Sequence, residues 1–333
     1  MLSLVIIVMK GESFLAALGG GNYLILSLIR SFTIASVDIF ILITGFFMCK
    51  NDKRTIGKPL SLLIQVTFFS VLIYLILCVF TVESFSIKVL IRRLIPANWF
   101  ITLYIVLYLI SPYINTVVVR FSKREWSSFL IIILVLFSIA PMFLGISESV
   151  GLPLKALSTI GNAGNAAGYS IINFITLYCI GAYIRLMTVH EKFSLKTSII
   201  IAVACALLLW GLRFLPIHST PWHIAGWYDN ILVILLASSL FLTFKKIHFS
   251  SKVVNYIAKA AITVYIIHYS LFKLVDPSKT LQLPIYGALL HIFAFIIVVF
   301  VISIVLNFIY NTLSKKTIDR FDMYRIPYYD KEN

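Results

Sequence analysis

Long apolar runs are the feature that most constrains this chain, because each is about as long as a helix that crosses a bilayer. Roughly 18 or more apolar residues span a hydrocarbon layer about 30 Å thick. Hydrophobic residues make up 60% of the sequence, charged residues make up only 12%, and the mean hydropathy is +0.99. The runs occupy residues 24–49, 60–81, 98–119, 128–146, 170–189, 197–215, 230–244, 254–274 and 284–313.

These runs predict an all-α, polytopic integral membrane protein. They are continuous and do not alternate with a period of two, which argues against a transmembrane barrel. The apolar segment from Leu2 to Met9 is too short to span, and no signal-peptide pattern follows it. We interpret it as the outer end of a further helix whose beginning is missing. The prediction is therefore about ten transmembrane helices, of which the first is truncated.

Lysine and arginine are distributed unevenly between alternate loops, and this bias predicts the orientation of the chain. The richer loops contain Lys50, Lys53, Arg54 and Lys58, then Arg120, Lys123 and Arg124, then Arg185, Lys192 and Lys196, and then Lys245, Lys246 and Lys252. Both termini are thus predicted to be cytoplasmic, with one transmembrane domain over residues 1–314 and a tail over residues 315–333. The net charge of +15 is then mainly a topology signal and not a sign of nucleic-acid binding.

The cysteines and the glycine-rich segment are interpreted as structural. Cysteines occur at Cys49, Cys78, Cys179 and Cys205, within or at the ends of apolar runs and without metal-type spacing. The sequence GNAGNAAG at residues 161–168 follows no strand, so it predicts a flexible outer loop and not a phosphate-binding loop.

The loop at residues 215–228 is rich in aromatic and imidazole side chains. It carries His218, Trp222, His223 and Trp227. Two histidines five residues apart could contact a metal, but only Asp229 offers a nearby carboxylate. We therefore favour an interfacial aromatic cap, and we predict no metal site.

Ionisable side chains inside the spans are functional candidates, because each costs roughly 2.5–3.5 kcal/mol on insertion scales unless it is paired or hydrated. Arg30 and Asp38 lie on the second span, and His268 lies on the ninth. On the predicted topology they all fall in the outer half of the membrane, together with Trp99, Tyr104 and Tyr265. Tyr265 and His268 are three residues apart and share a helix face. The alternative is a structural Asp–Arg or Asp–His pair that fixes helix packing.

Residues 98–115, NWFITLYIVLYLISPYIN, carry more hydroxyl and aromatic groups than an anchor helix needs. Trp99 and Tyr104 lie where an aromatic belt would be, and Pro112 is predicted to break the far end. One interpretation is a helix packed against other helices with interfacial anchors. The other is a helix that lines a polar site.

Four segments of the chain, in order, resemble the membrane acyltransferase type 3 family, particularly the bacterial members that O-acetylate cell-surface polysaccharides. They are VDIFILITGFFM at residues 37–48, residues 98–115, NFITLYCIGAYIRL at residues 173–186, and YDNILVILLASSLFLTF at residues 228–244 leading to ITVYIIH at residues 262–268. The first is similar to the family's V-D/N-x-F-F-x-x-S-G-F motif.

This resemblance implies about ten transmembrane helices with both termini in the cytoplasm of a bacterial plasma membrane. It also implies acetyl-CoA as a cytoplasmic co-substrate, no bound cofactor, and a polysaccharide or lipid-linked glycan as acceptor. Family members usually carry an Arg on the first span and a His about ten residues later. Here Lys10 stands about where that His would fall.

The predicted reaction is acyl transfer to a glycan hydroxyl during polysaccharide or capsule biosynthesis. His268 would take the hydroxyl proton or accept the acetyl group, Asp38 would orient it, and Arg30 or Tyr104 would stabilise the oxyanion. The predicted substrate-binding residues are Trp99, Asn98, Tyr265 and Lys10. Lys50, Arg54 and Lys58 are predicted to bind the phosphates of the donor, unless they serve topology alone.

Two other functions remain open on the sequence. The chain could be an exporter or flippase for a polysaccharide or lipid-linked sugar, in which Trp99, Trp222 and Trp227 stack on sugar rings and His268 gates the path. It could also be an inactive, truncated acyltransferase.

Overall fold

The computed structural model describes residues 20–51, 53–152, 166–215, 223–247, 250–271, 283–322 and 324–325. The described chain is helical, and its helices are α1 (Gly20–Thr33), α2 (Ser36–Met48), α3 (Gly57–Val79), α4 (Ile87–Leu94), α5 (Trp99–Val118), α6 (Lys123–Leu134), α7 (Ala140–Ser149), α8 (Ile171–Leu186), α9 (Val189–Lys192), α10 (Leu195–Leu212), α11 (Ile231–Lys246), α12 (Lys252–Ala258), α13 (Ala261–Leu271) and α14 (Ile285–Asp322). A π-helical turn, Val135–Ile139, joins α6 to α7.

Seven helical stretches are long and apolar enough to cross a membrane: Asn22–Met48, Gly57–Val79, Ile87–Val118, Lys123–Ser149, Leu195–Leu212, Ile224–Lys246 and Ile285–Ser314. Helix α8 is a shorter apolar helix. These helices confirm an all-α, polytopic membrane protein. The total of ten spans and the cytoplasmic location of both termini stay predictions, and Leu2 to Met9 and Lys10 lie outside the described residues.

The chain forms two compact units. The first unit comprises residues 1–22, 53–105 and 249–333, and the second comprises residues 23–52 and 106–248. Helices α3, α13 and α14 contact one another in the first unit, and α2, α8, α10 and α11 form the centre of the second. The single domain ending at residue 314 stays a prediction. Helix α14 continues without a break through that position to Asp322.

Helix α2 lies directly against helix α8 at two glycines. A Cβ atom at Gly45 would overlap the carbonyl oxygen of Tyr178, and a Cβ atom at Gly181 would overlap the carbonyl oxygen of Leu42. Small residues allow such close approach of two helix backbones within a membrane. Asn115 adds a polar connection, since its Nδ2 donates to the Met48 carbonyl oxygen at 2.9 Å and its Oδ1 accepts from the Tyr178 hydroxyl at 2.7 Å.

A hydrogen-bonded chain of side chains joins the three helices of the first unit. Gln65 Nε2 on α3 donates to Thr263 Oγ1 on α13 at 3.2 Å, and that hydroxyl donates to Asn307 Oδ1 on α14 at 3.1 Å. Gln65 and Thr263 are buried, so these hydrogen bonds satisfy polar groups that would otherwise be costly in an apolar interior.

Two of the predicted runs are interrupted. The run at residues 24–49 consists of α1 and α2, which are separated at residues 34–35. Ser36 Oγ donates to the Thr33 carbonyl oxygen at 2.6 Å, and Thr33 Oγ1 donates to the Arg30 carbonyl oxygen at 3.2 Å. Such side-chain bonds compete with the helical backbone pattern. The run at residues 254–274 likewise divides into α12 and α13.

The prediction that Pro112 breaks its helix is wrong, because α5 continues through it to Val118. Proline removes the backbone hydrogen bond to the carbonyl group four residues earlier. Here that carbonyl group belongs to Tyr108, and the hydroxyl of Ser111 donates to it at 2.8 Å. A neighbouring serine therefore supplies the donor that proline lacks.

The described part of the C-terminal tail lies against the segment that precedes α3 in the first unit. Ile56 donates its backbone N–H to the Tyr324 carbonyl oxygen at 3.0 Å, and Thr55 forms an isolated antiparallel bridge with Arg325. This contact holds the end of the tail beside the basic residues that the sequence assigns to a cytoplasmic loop.

We expect Gly45→Ala to lower the free energy of unfolding by about 1–3 kcal/mol, because the added methyl group must separate α2 from α8. The measurement is thermal unfolding in detergent. Gly211→Ala is the matched control, since Gly211 is also helical and a Cβ atom there would meet nothing within 4 Å. An equal loss of stability in both variants would show that the α2–α8 contact is not responsible.

Candidate functional site

Two buried carboxylates lie at the starts of neighbouring helices in the second unit. Asp38 is in the first turn of α2, and Asp229 precedes Asn230, which caps α11 by accepting from the Leu232 N–H at 2.9 Å. Both aspartates are buried, and they are close enough for their charges to repel. The amino-terminal end of a helix favours negative charge, which offsets part of that repulsion.

A strained turn holds the segment that carries Asp229. Ala166, Ala167 and Gly168 have positive φ values of 48°, 54° and 85°. Tyr228 donates its backbone N–H to the Ala167 carbonyl oxygen at 3.0 Å, and a Cβ atom at Gly168 would lie 2.5 Å from the Asp229 nitrogen. Non-glycine residues in this region of φ and ψ cost of order 1–3 kcal/mol and cluster at functional sites.

This turn corrects the prediction of a flexible outer loop for GNAGNAAG. Its last residues, Ala167 and Gly168, are buried in a 3₁₀ turn, and residues 161–165 lie outside the described chain. Asn173 at the start of α8 fixes the turn by donating from Nδ2 to the Gly168 carbonyl oxygen at 3.2 Å. The turn is therefore tied to both α8 and the Asp229 segment.

A tyrosine pair and an arginine adjoin the same segment. The rings of Tyr169 and Tyr228 lie 5.1 Å apart and nearly edge to face, and the two side chains share a hydrogen bond. Burial raises the pKa of the Tyr169 phenol above its ordinary value, and the bond to Tyr228 and the positive charge of Arg30 offset part of this. A raised pKa keeps Tyr169 neutral, so its hydroxyl remains a hydrogen-bond donor over the physiological range.

Asp38 is the most reactive-looking member of this group. It is fully buried, and neither of its oxygens has a hydrogen-bond partner in the described part of the chain. Buried polar groups in native proteins are nearly always hydrogen-bonded, so an exception calls for a functional explanation. We define the acidic cluster as Arg30, Asp38, Tyr169, Tyr228 and Asp229. It contains a proton acceptor, a guanidinium and phenol donors.

The opposite end of the same helices is basic. The Phe46 ring near the end of α2 lies 4.9 Å from the Arg185 guanidinium carbon and 6.0 Å from Lys245 Nζ. Arg185 is near the end of α8, and Lys245 is near the end of α11. The three helices thus run in the same direction, with carboxylates where α2 and α11 begin and cations where all three end.

The first unit holds a separate aromatic group that includes four predicted site residues. The Phe100 ring lies 5.8 Å from Trp99, 6.2 Å from Tyr104 and 4.9 Å from Tyr265. The Tyr265 ring lies 5.6 Å from His268, which confirms that the two share a helix face.

His268 has a defined orientation in this group. Its Nδ1 lies 3.2 Å from the Val264 carbonyl oxygen. A carbonyl oxygen can only accept, so Nδ1 carries the proton and Nε2 carries the lone pair of the neutral ring. Asn98 caps α5, since its Oδ1 accepts from the Ile101 N–H at 3.1 Å.

The predicted donor-binding residues differ in exposure. Lys50 in the second unit and Lys58 in the first are exposed, whereas Arg54 in the first is buried and its Nη1 donates to the Lys53 carbonyl oxygen at 3.0 Å. Asp38 and His268 belong to different units, so their predicted approach stays a prediction. No group of three or more potential metal ligands occurs in the part of the chain that the structure describes.

The loop before α11 differs from the predicted aromatic cap. Trp227 is fully buried and packs with Ala167 and Ile224, and His223 Nδ1 accepts from the Ala225 N–H at 3.1 Å. His218 and Trp222 lie outside the described residues. The packing of Trp227 against the strained turn explains the correction, since this tryptophan supports the acidic cluster from within the unit.

Sequence reasoning missed Tyr169, Tyr228 and Asp229 as site residues. They lie in connecting segments, where polar residues are common and carry no signal of burial. The one available signal was the YDN sequence at the start of a conserved-looking segment, residues 228–230, where an N-cap follows an aspartate.

We expect Asp38→Asn and Asp229→Asn to have non-additive effects on the free energy of unfolding. Removing one carboxylate relieves the repulsion between them, whereas removing the second leaves the positive charge of Arg30 uncompensated. The interaction free energy from a double-mutant cycle should be at least about 1 kcal/mol. Asp38→Asn combined with Glu125→Gln is the control, because Glu125 caps α6 through Ser122 and should behave additively. Additivity in both cycles would contradict the proximity of the two aspartates.

Comparison with protein families gives one match. A family model described as an acyltransferase domain, of the type 3 acyltransferases, matches residues 1–308. Comparison with curated proteins and with solved structures gave no significant match.

Proposed function

The chain belongs to the membrane acyltransferase type 3 family, and we propose that it moves an acetyl group from acetyl-CoA to a hydroxyl group of a cell-surface polysaccharide or its lipid-linked precursor. Family membership supports acyl transfer as the class of reaction. The observation in this structure that carries the proposal is Asp38, a buried carboxylate without a hydrogen-bond partner among the described residues and next to Asp229. Ionisable groups retained within membrane spans mark functional sites.

In the proposed reaction the acceptor hydroxyl binds at the acidic cluster. Asp38 takes the hydroxyl proton while the acceptor oxygen bonds to the thioester carbon. The oxyanion of the tetrahedral intermediate lies beside Arg30 and the Tyr169 hydroxyl, which stabilise its charge. The carbon–sulfur bond then breaks, and the departing thiolate of coenzyme A receives the proton from Asp38. The products are the acetyl ester and free coenzyme A.

The donor would enter from the basic end of the second unit. Its phosphates need cations, and Lys50 and Lys58 are exposed, whereas Arg54 is buried. We therefore assign the phosphates first to the two lysines. From Asp38 to Lys50 is twelve residues of chain, or about 18 Å along a helix at 1.5 Å per residue. The thioester arm would have to cover that distance along α2.

His268 is the second candidate base, in the first unit. Because its Nδ1 is used by the Val264 carbonyl group, Nε2 is the nitrogen that could accept a proton or the acetyl group. The aromatic residues Trp99, Tyr104 and Tyr265 would then form a surface against which a sugar ring can stack. The proposal extends to ten helices with both termini in the cytoplasm of a bacterial plasma membrane.

Export without chemistry is the competing function. It requires accessible tryptophans that stack on sugar rings, but Trp227 is fully buried and Trp99 contacts the Phe100 ring at its edge. Trp222 lies outside the described residues. The buried acidic cluster favours proton transfer, so acyl transfer is the better-supported of the two. An inactive acyltransferase would retain the family fold without transfer.

Acetyl transfer from labelled acetyl-CoA to base-labile esters on glycan, in membranes that contain the protein, tests this proposal. Asp38→Asn should lower the rate by about 10²–10⁴-fold, which is the usual contribution of a positioned base. Glu125→Gln is the matched control, because it removes a carboxylate at a helix cap elsewhere in the same unit. Full transfer by Asp38→Asn would remove Asp38 from the mechanism.

We expect His268→Gln to reduce the same rate by at least about 10²-fold if Nε2 carries the proton or the acetyl group. His291→Gln is its control, since His291 lies on α14 of the same unit. Loss of transfer in His268→Gln together with full transfer in Asp38→Asn would locate the base in the first unit. No transfer by the wild-type protein to any glycan fraction would favour the exporter or the inactive enzyme.

A further inference from the structure

A cavity on the first unit lies away from both groups of site residues. Its volume is about 420 Å³, and it lies between α14 and the junction of α12 with α13. Its walls include Tyr256, Lys259, Ile304, Asn307, Phe308 and Asn311. None of the described lining residues is acidic. The proposed transfer reaction uses none of them.

The polar side of this cavity offers hydrogen-bond donors. Lys259 contributes an exposed ammonium group, and Asn311 contributes a side-chain amide. The carbonyl oxygen of the Asn307 amide is occupied, because it accepts from Thr263, whose hydroxyl in turn accepts from Gln65. The amide nitrogen of Asn307 is therefore the part of that side chain left to bind a ligand. Donors without acceptors select an anion.

The other side of the cavity is apolar and belongs to a membrane span. Ile304 and Phe308 lie on α14 within the apolar stretch Ile285–Ser314. The Phe308 side chain is 63% exposed, and Val305 beside it is 52% exposed. Surfaces of this kind on a spanning helix face lipid acyl chains. The cavity thus joins a cationic end to an apolar end on one helix.

The depth of the cavity suits a lipid headgroup. Asn311 precedes Lys315 and Lys316 by about one turn of helix, and these lysines belong to the predicted cytoplasmic tail. Lys259 follows the loop of Lys245, Lys246 and Lys252, which is predicted to be cytoplasmic as well. Basic pockets between helices on the cytoplasmic side bind anionic headgroups.

We propose that this cavity is a binding site for one anionic phospholipid of the cytoplasmic leaflet. The lipid phosphate binds to the Lys259 ammonium group and the amide nitrogens of Asn307 and Asn311. One acyl chain lies along Ile304 and Phe308. The occupant is a lipid and not a soluble phosphate, because the apolar wall would gain nothing from a soluble anion.

Native mass spectrometry of the full-length protein tests this site, with phosphatidylglycerol and phosphatidylcholine as probes at equal concentration. We expect one tightly retained phosphatidylglycerol molecule and at least about fivefold weaker retention of phosphatidylcholine. Lys259→Gln should weaken phosphatidylglycerol retention by about fivefold, as expected for one basic residue near an anionic headgroup. Lys252→Gln, an exposed lysine on α12 outside the cavity, should leave it unchanged.

The two lysine variants and one soluble competitor decide between the outcomes. Equal weakening by Lys252→Gln and Lys259→Gln would show general attraction to a basic surface and would overturn the site. Competition by glycerol phosphate as effective as that by phosphatidylglycerol would overturn the lipid as occupant. Ile304→Trp, which fills the apolar side, should also release the lipid while leaving glycerol phosphate binding unchanged. Unchanged retention of phosphatidylglycerol in both Lys259→Gln and Ile304→Trp would place the lipid elsewhere.

Discussion

The close backbone contact of α2 with α8 is the constraint on which the rest of the second unit depends. Gly45 and Gly181 allow the helices to meet without intervening side chains. Because α2 carries Asp38 and α8 carries Asn173, this contact fixes the aspartate relative to the turn that Asn173 holds. In hydrocarbon there is little hydrophobic gain from joining two helices, so close packing of this kind supplies the specificity. The acidic cluster is a consequence of that geometry.

The sequence predicted the fold class and part of the site for a single physical reason. Charges within apolar runs are conspicuous, which is why Arg30 and Asp38 were identified. Tyr169 and Asp229 were missed because they lie in connections, where only the folded chain reveals their burial. Pro112 was misinterpreted for a related reason, since the compensating hydrogen bond from the preceding serine is a tertiary detail of one helix turn.

The arrangement of charge along the second unit also suits a reaction that begins with a charged donor and ends at a neutral hydroxyl group. Cations gather where α2, α8 and α11 end, beside Phe46, and carboxylates gather where α2 and α11 begin. Each set lies at the helix end whose dipole stabilises it. The cluster can therefore retain buried charge at a lower cost than isolated ionisable groups in the same surroundings would incur.

The central claim is that acyl transfer takes place at the acidic cluster of the second unit. The most direct measurement is an experimental density map of the full-length protein with a non-hydrolysable thioether analogue of acetyl-CoA. The account predicts that the acyl end of the analogue lies within hydrogen-bonding reach of Arg30 or Tyr169 and beside Asp38. An acyl end bound elsewhere, with Asp38 enclosed by protein alone, would contradict it.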